Sequence, residues 1–339
     1  MVILIKSSTF ASETNNTMTI EETKSKMDVL FSEIKAYRKS THFQELLYFC
    51  AHFKTLAPYN AMLIHLQRPH AHFVLTASEW KKYNRKVRAH ARPLVILIPF
   101  GPVDFVFEIQ DTYTPKQAPY EYSPQEIIDD VEKPFRVSGR VDSAVLDRLT
   151  YFMQYHGVAY DPNLEVGADC GGQIEELLES DEYKPLNIQI NKNVDVVSRA
   201  RFLISTNKYA DDGQRIASIV HELGHLFCHH VPSPKGWGNA WEHRKLEMEV
   251  KEFEAEAVAR IVCDRLGIAV PSDRYLTPYL MSRNEIPHQV SVENICFAAN
   301  KILTMCYGPQ KMTYRDGLLF KHDEKFQELV KSIKSKKNN

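Results

Sequence analysis

His221-Glu222-Leu223-Gly224-His225 sets two imidazoles four residues apart, with a carboxylate beside the first. On an α-helix, at about 100° per residue, positions i and i+4 share a face, so both rings can reach one metal ion while Glu222 sits beside an open coordination position. The chemistry this suits is hydrolysis by a zinc-activated water. The metal lowers the pKa of the water, and a glutamate takes its proton and hands it to a leaving amine. With fourteen histidines in 339 residues, five letters can arise by chance, so the surrounding elements have to carry the reading.

Those elements fit. From about Gly213 to His230, Ile216, Ile219, Val220, Leu223, Leu226 and Phe227 recur at helical spacing, after the N-capping residues Asp211 and Asp212 and before Pro232, Pro234, Gly236 and Gly238. A catalytic zinc needs a third protein ligand, and a second helix expected from about Glu247 to Leu266 offers glutamates for it. On that helix Val250, Ala257, Val258 and Ile261 fall within about 60° of Glu254, whereas Glu252 and Glu256 project about 160° and 200° away beside Arg260. A lone carboxylate on an apolar face is costly and a metal-bound one is compensated, so Glu254 is the expected third ligand, with Glu256 as the alternative.

His221 to His225 followed by Glu254-Ala255-Glu256-Ala257 resembles the ImmA/IrrE family of zinc metallopeptidases, whose pattern is HExxH and then ExxA on the next helix. The resemblance implies one Zn²⁺ per chain on His221, His225 and Glu254, with Glu222 as the catalytic base. It also implies a gluzincin-like endopeptidase, a protein or peptide substrate and a regulatory role. That family often has Asn or Asp directly after the Ala, and here the position is Val258. Upstream, the run from Pro58 through Asn60 and Gln67 to Pro69, then Trp80, Arg85 and Ala91 to Pro99, is similar to the ArdC-type N-terminal domain. In that family the domain binds single-stranded DNA and precedes a zincin-like peptidase domain.

Composition narrows the classes. Lys+Arg 42 against Asp+Glu 43 excludes both a polyanion binder acting by bulk charge and an acidic disordered chain. At 44% hydrophobic and 11% aromatic, the chain can bury substantial cores, and its length suggests two domains. No run approaches the roughly eighteen apolar residues of a membrane span. Before Met18, itself an alternative start, the continuous apolar run is only Val2 to Ile5, too short for a signal-peptide core, so the cytoplasm is the expected location. Six cysteines form no C-x-x-C pair and lie mostly in apolar segments, which reads as reduced, buried thiols and leaves zinc to His and Glu.

Along the chain, residues 1–19 read as a disordered tail, 20–110 as an ArdC-like N-terminal domain, 111–137 as a linker, 138–320 as the zincin-like domain and 321–339 as a basic tail, frayed from Lys331 to Asn339. Helices are expected at Ile20 to Arg38, His42 to Leu56, Tyr59 to Gln67, Ser78 to Tyr83, Asp142 to His156, Tyr275 to Arg283 and Ser291 to Met305. Strands are expected at Phe73 to Thr76, Leu94 to Pro99, Val103 to Ile109 and Leu186 to Ile190. The fold class is α+β: a helical and α+β N-terminal domain followed by a zincin-like domain.

His229 and His230 read as helix-end residues facing the dipole, because the metzincin spacing is absent, and His243 reads as surface. Gly224 reads as a close-packing position between the two metal helices, with Trp237 or Trp241 flanking the cleft. Tyr275, Tyr279 and His288 are positional candidates for an oxyanion-stabilising group. Arg68 to Arg92 carries seven basic residues against Glu79 alone, with Phe73, Trp80 and Tyr83 interleaved. A single-stranded nucleic acid could use Lys81, Lys82, Arg85, Lys86, Arg88 and Trp80 there, and a plain solvated face is the competing reading. Three functions compete: a zinc endopeptidase, an ArdC-like antirestriction protein with a secondary zinc site, and a scaffold with a degenerate site, against which intact Glu222 argues. Oligomeric state is not legible in the sequence.

Overall fold

The computed structural model describes residues 40–98, 101–132, 143–165, 171–192, 194–268, 285–308 and 313–335. The helices expected at Ile20 to Arg38 and Tyr275 to Arg283 lie outside those residues. The fold is α+β, with two compact units: residues 63–128 form the described part of the smaller, and 40–62 with 129–335 that of the larger. Helix α1 (Ser40–His52) and the first half of α2 (Pro58–Gln67) therefore belong to the larger unit, although their sequence position had put them in an N-terminal domain running to residue 110.

In the smaller unit the second half of α2 is followed by β1 (Val74–Thr76), α3 (Ala77–Lys82), β2 (Lys86–Val87), β3 (Leu94–Ile98), β4 (Gly101–Glu108) and β5 (Thr112–Tyr113). β4 is the centre of an antiparallel sheet ordered β1-β4-β3, and β2 pairs with β5. Gln67 locks the end of α2 to β3 by donating to the Val95 carbonyl at 2.9 Å and accepting from the Val95 N–H at 2.8 Å. A Thr76/Glu79 capping box starts α3. The expected linker at 111–137 instead contains β5 and α4 (Pro124–Glu132), whose Ile127 is buried. A two-residue strand and a nine-residue helix are too short to leave a readable period.

In the larger unit, α5 (Ser143–Met153) leads into β6 (Val158–Leu164), β7 (Gly172–Glu176), the hairpin β8 (Pro185–Asn191) and β9 (Val194–Arg199), and β10 (Phe202–Asn207). β10 lies between a parallel β6 and an antiparallel β7. α6 (Asp212–Phe227) packs on β7 and β10, and α7 (Met248–Leu266) packs against α6, α1 and α8 (Val292–Tyr307). An Asp211/Gln214 capping box starts α6, and Ile216, Ile219, Val220, Leu223, Leu226 and Phe227 form its buried face. Five described cysteines (Cys50, Cys228, Cys263, Cys296 and Cys306) are buried and free of disulfides.

The described residues close with α9 (Leu318–His322) and α10 (Glu324–Ser335), so the expected basic tail is helical as far as Ser335. Phe326 and Val330 bury one face of α10, and Asp323 anchors its start by accepting from the Phe326 N–H at 3.0 Å, Arg201 Nη2 at 2.6 Å and the Trp237 indole at 3.1 Å. Burial works to raise the Asp323 pKa, but Arg201, the Phe326 N–H and Trp237 outweigh it and hold the carboxyl below its ordinary value. A depressed carboxylate contributes stability that is present above its unfolded-state pKa and lost as pH falls through the folded-state value. Asp323→Asn should therefore cost about 1.5–3 kcal/mol at pH 7. The deficit should shrink as pH falls below about 4, the unfolded-state value, and through the lower folded-state value at which the wild-type carboxylate also gains its proton. Urea denaturation at the two pH values measures it.

Candidate metal centre

α6 carries His221 and His225 one turn apart, and Glu252 reaches them from the second turn of α7. The two Nε2 atoms lie 3.2 Å apart, His221 Nε2 lies 3.2 Å from Glu252 Oε2, and His225 Nε2 lies 3.4 Å from Glu252 Oε1. Zn–N bonds of about 2.0–2.1 Å at a tetrahedral angle put two nitrogens roughly 3.3 Å apart, so two imidazoles and one carboxylate converge as a zinc site requires. The three side chains stay 12–23% exposed, which leaves an approach from outside.

α6 and α7 come this close because Gly224 has no side chain: a Cβ there would stand 3.2 Å from the Ala255 Cα and 3.4 Å from the Ala255 carbonyl. Backbone cannot yield as a flexible side chain can, and the expected close-packing role of Gly224 is what the helices display. Glu222 is buried on the sheet side of α6, where its carboxylate accepts a hydrogen bond from the Ile174 main chain of β7. Burial pushes its pKa up to about 7, with the Glu252 charge adding to the rise and His221 and Ile174 opposing it. Burial also disfavours protonation of His221, yet the Glu252 hydrogen bond and the charges of Glu222 and Glu252 raise its pKa overall.

Glu254 does not join this cluster. It sits two residues beyond Glu252, about 200° further round α7, and is fully buried on another side of the helix. There it accepts from His230 Nε2 at 2.8 Å, Arg244 Nη1 at 2.5 Å, Arg244 Nη2 at 2.8 Å and the Ser291 N–H at 2.6 Å. The wheel identified a buried position correctly, but α7 is buried around most of its circumference, so burial does not single out the side facing the histidines. The sequence reading looked to a metal to compensate Glu254, but Arg244, on the segment before α7, does so. Cys228, His230 and Glu254 also cluster, but the guanidinium and the Ser291 N–H already occupy the carboxylate. Glu256, the alternative ligand, is outside both clusters of metal-ligating side chains among the described residues.

Other expectations move as well. His230 is buried against His225 and Glu254, and the half-buried His243 bonds the His230 carbonyl. Trp237 and Trp241 are packing residues whose indoles bond Asp323 and the Val231 carbonyl. Tyr275 and Tyr279 lie outside the described residues, and His288 is exposed.

In the smaller unit Trp80 is completely buried, edge-on to Phe73, with its indole on the Phe107 carbonyl, so it is no stacking platform. Arg85 is tied to the Thr112 hydroxyl at 2.7 Å and lies over Trp80. Lys81, Lys82, Lys86 and Arg88 are exposed, Arg88 over the ring of Tyr113, and Lys81, Asn84, Arg85 and Lys86 line an open pocket of about 300 Å³.

Residues 182–277 match the Peptidase M78 family model, described as the IrrE N-terminal-like domain. No curated protein matches the chain. Among solved structures, the metal-free crystal structure of the antirestriction protein ArdC from plasmid R388 aligns at 12% identity over 73% of this chain and 84% of its own, with a TM-score of 0.31. No helix among the described residues is long and apolar enough to cross a membrane.

Proposed function

We propose that this chain, whose residues 182–277 carry a domain of the IrrE N-terminal-like peptidase family, is a metallopeptidase holding one zinc ion on His221, His225 and Glu252. The observation that carries the reading is the convergence of those three side chains beside the buried Glu222. Bound there, zinc would polarise a scissile carbonyl and make a water acidic enough to attack it near neutral pH. Glu222 accepts the proton of the attacking water and returns it to the leaving amine. The Ile174 main chain holds the Glu222 carboxylate in place from β7, the last strand of its sheet among the described residues. A strand at that position suits an extended peptide, which can pair with main-chain groups. The substrate class is protein, in a regulatory role of the ImmA/IrrE kind, and the site of action is the cytoplasm.

Metal analysis tests the site. Wild-type protein should bind one zinc per chain, His221→Ala, His225→Ala and Glu252→Ala should lose it, and Glu256→Gln should keep it. Zinc-free wild-type protein after metal-replete expression would end the enzyme reading, and a Glu252→Ala protein with full zinc would end the ligand assignment.

A second reading, single-stranded DNA binding by the smaller unit, is favoured by the basic pocket and by exposed Lys82, Lys86 and Arg88 beside Tyr113. The buried Trp80 plays no part in it. If Lys81, Lys82, Lys86 and Arg88 each neutralise a phosphate, log K should fall with log salt at a slope of roughly 3. Changing all four to Glu should abolish a gel shift of labelled single strands without altering zinc content. No shift by the wild-type chain at low salt would rule the reading out.

A further inference from the structure

We infer that Cys50 and Cys296 form an oxidisable thiol pair, a modification site at which hydrogen peroxide joins α1 to α8 through a disulfide. Cys50 lies in the last turn of α1 and Cys296 in the second turn of α8, far apart in the chain. Both are buried and their thiols are hydrogen-bonded to each other, while Cys50 Sγ also donates to the Pro58 carbonyl at 3.6 Å. The next residues repeat the contact: Tyr59 stacks on Phe297 with ring centroids 4.4 Å apart and planes at 15°. Phe43 of α1 meets Phe253 of α7 at 5.3 Å, so the helix that carries Cys50 is docked along its length.

Arg265, in the last turn of α7, is a second and independent observation. Its guanidinium is buried and donates to the main-chain carbonyls of Cys50, Phe53 and Leu56, and among the described residues no carboxylate pairs with it. A buried cation without a counter-ion favours negative charge nearby, and Cys50, Tyr307 and Cys296 stand in its field. The hydrogen bond with Cys50 and burial push the Cys296 thiol well above its ordinary value, and Arg265 works against that rise. One thiol attacks the peroxide, taking one oxygen as a sulfenic acid while the other leaves as water. The second thiol then attacks the sulfenic sulfur, forming the S–S bond and releasing a second water. Two thiols and one peroxide thus give one disulfide and two waters, the sulfurs losing the two electrons that the peroxide gains. Burial slows the first step, but the second has its partner already in contact, at an effective concentration that no outside thiol reaches. In a reducing compartment the bond is transient, formed as oxidant rises and reversed by thiol exchange.

The test treats the full reduced chain with hydrogen peroxide in slight molar excess, alkylates the remaining thiols in denaturant and maps the peptides without reduction. The peptides of Cys50 and Cys296 should be linked, and a thiol reductant should release them. Burial raises the Cys263 pKa and Cys306 adds to the rise, so these two are near neighbours as well and form the internal control for pairing. The oxidised chain should unfold about 5–15 °C higher than the reduced one, because a bond closing a long loop constrains the unfolded chain. Cys50→Ala should show no such rise. Absence of the Cys50–Cys296 link overturns the inference, as does a Cys263–Cys306 link in its place or an oxidised midpoint no higher than the reduced one. The mapping is done on wild type, so it decides even if Cys50→Ala fails to fold. Neither metal nor substrate enters the test, and its result stands apart from the peptidase reading.

Discussion

Glu222→Gln is expected to keep one zinc per chain and to lower kcat/KM by about 10²–10⁴-fold, the usual worth of a positioned acid–base group. Glutamine is isosteric and can remain against the Ile174 main chain, but it cannot take a proton. Glu222 lies outside the cluster of His221, His225 and Glu252, so coordination should survive the change. Zinc content and hydrolysis of a substrate cleaved by wild type, measured on the same preparation, separate the two roles. Wild-type turnover in Glu222→Gln would remove the residue from proton transfer, and loss of zinc would mean that it supports the ligands as well.

The part of this site carried by one helix was legible in the sequence. His221, Glu222 and His225 have a fixed geometric relation once α6 is recognised, and Asp211, the apolar repeat and the downstream Pro and Gly residues recognise it. The third ligand comes from another helix, and its identity depends on how α7 is rotated about its axis. That rotation is set by Gly224 against Ala255 and by the packing of α1 and α8, none of which has a local signature. Arg244 gave no signal either, because it lies in an irregular stretch and meets Glu254 only once the chain has folded back.

The strands show the same division. β3 and β4 were legible as separate apolar runs joined by Gly101-Pro102, whereas β6, β7, β9 and β10 went unread. β10 is buried along most of its length, Ser205 and Thr206 included, so it has no alternation to read. β7 holds Gly172, Gln173, Glu175 and Glu176 around one apolar residue, Ile174, and acquires its meaning from pairing with β10. Trp80 illustrates the converse: a basic stretch with interleaved aromatics resembled a stacking surface, but its largest aromatic belongs to the core of the unit.

Arg244→Met is expected to destabilise the metal-free larger unit by about 3–5 kcal/mol, the cost of leaving one member of a buried ion pair without its partner. Glu254 has no solvent exposure, and among the described residues Arg244 supplies two of its four hydrogen bonds and its only guanidinium. Burial opposes its ionised form, and the bonds from His230 and Arg244 hold its pKa below the ordinary value, so removing the arginine exposes the desolvation cost that the pair offsets. At about 2–4 °C per kcal/mol for a unit of this size, the midpoint should drop by roughly 6–20 °C. The double variant Arg244→Met with Glu254→Leu should recover much of that loss, because two apolar side chains replace the pair without stranding a charge. Recovery should be incomplete, since Arg244 also donates to the carbonyls of Cys228 and Gln289. Thermal unfolding of both variants in chelator checks this. A drop of less than about 2 °C in the single variant would show that water or another cation reaches Glu254, and that its burial was not the reason Arg244 is there.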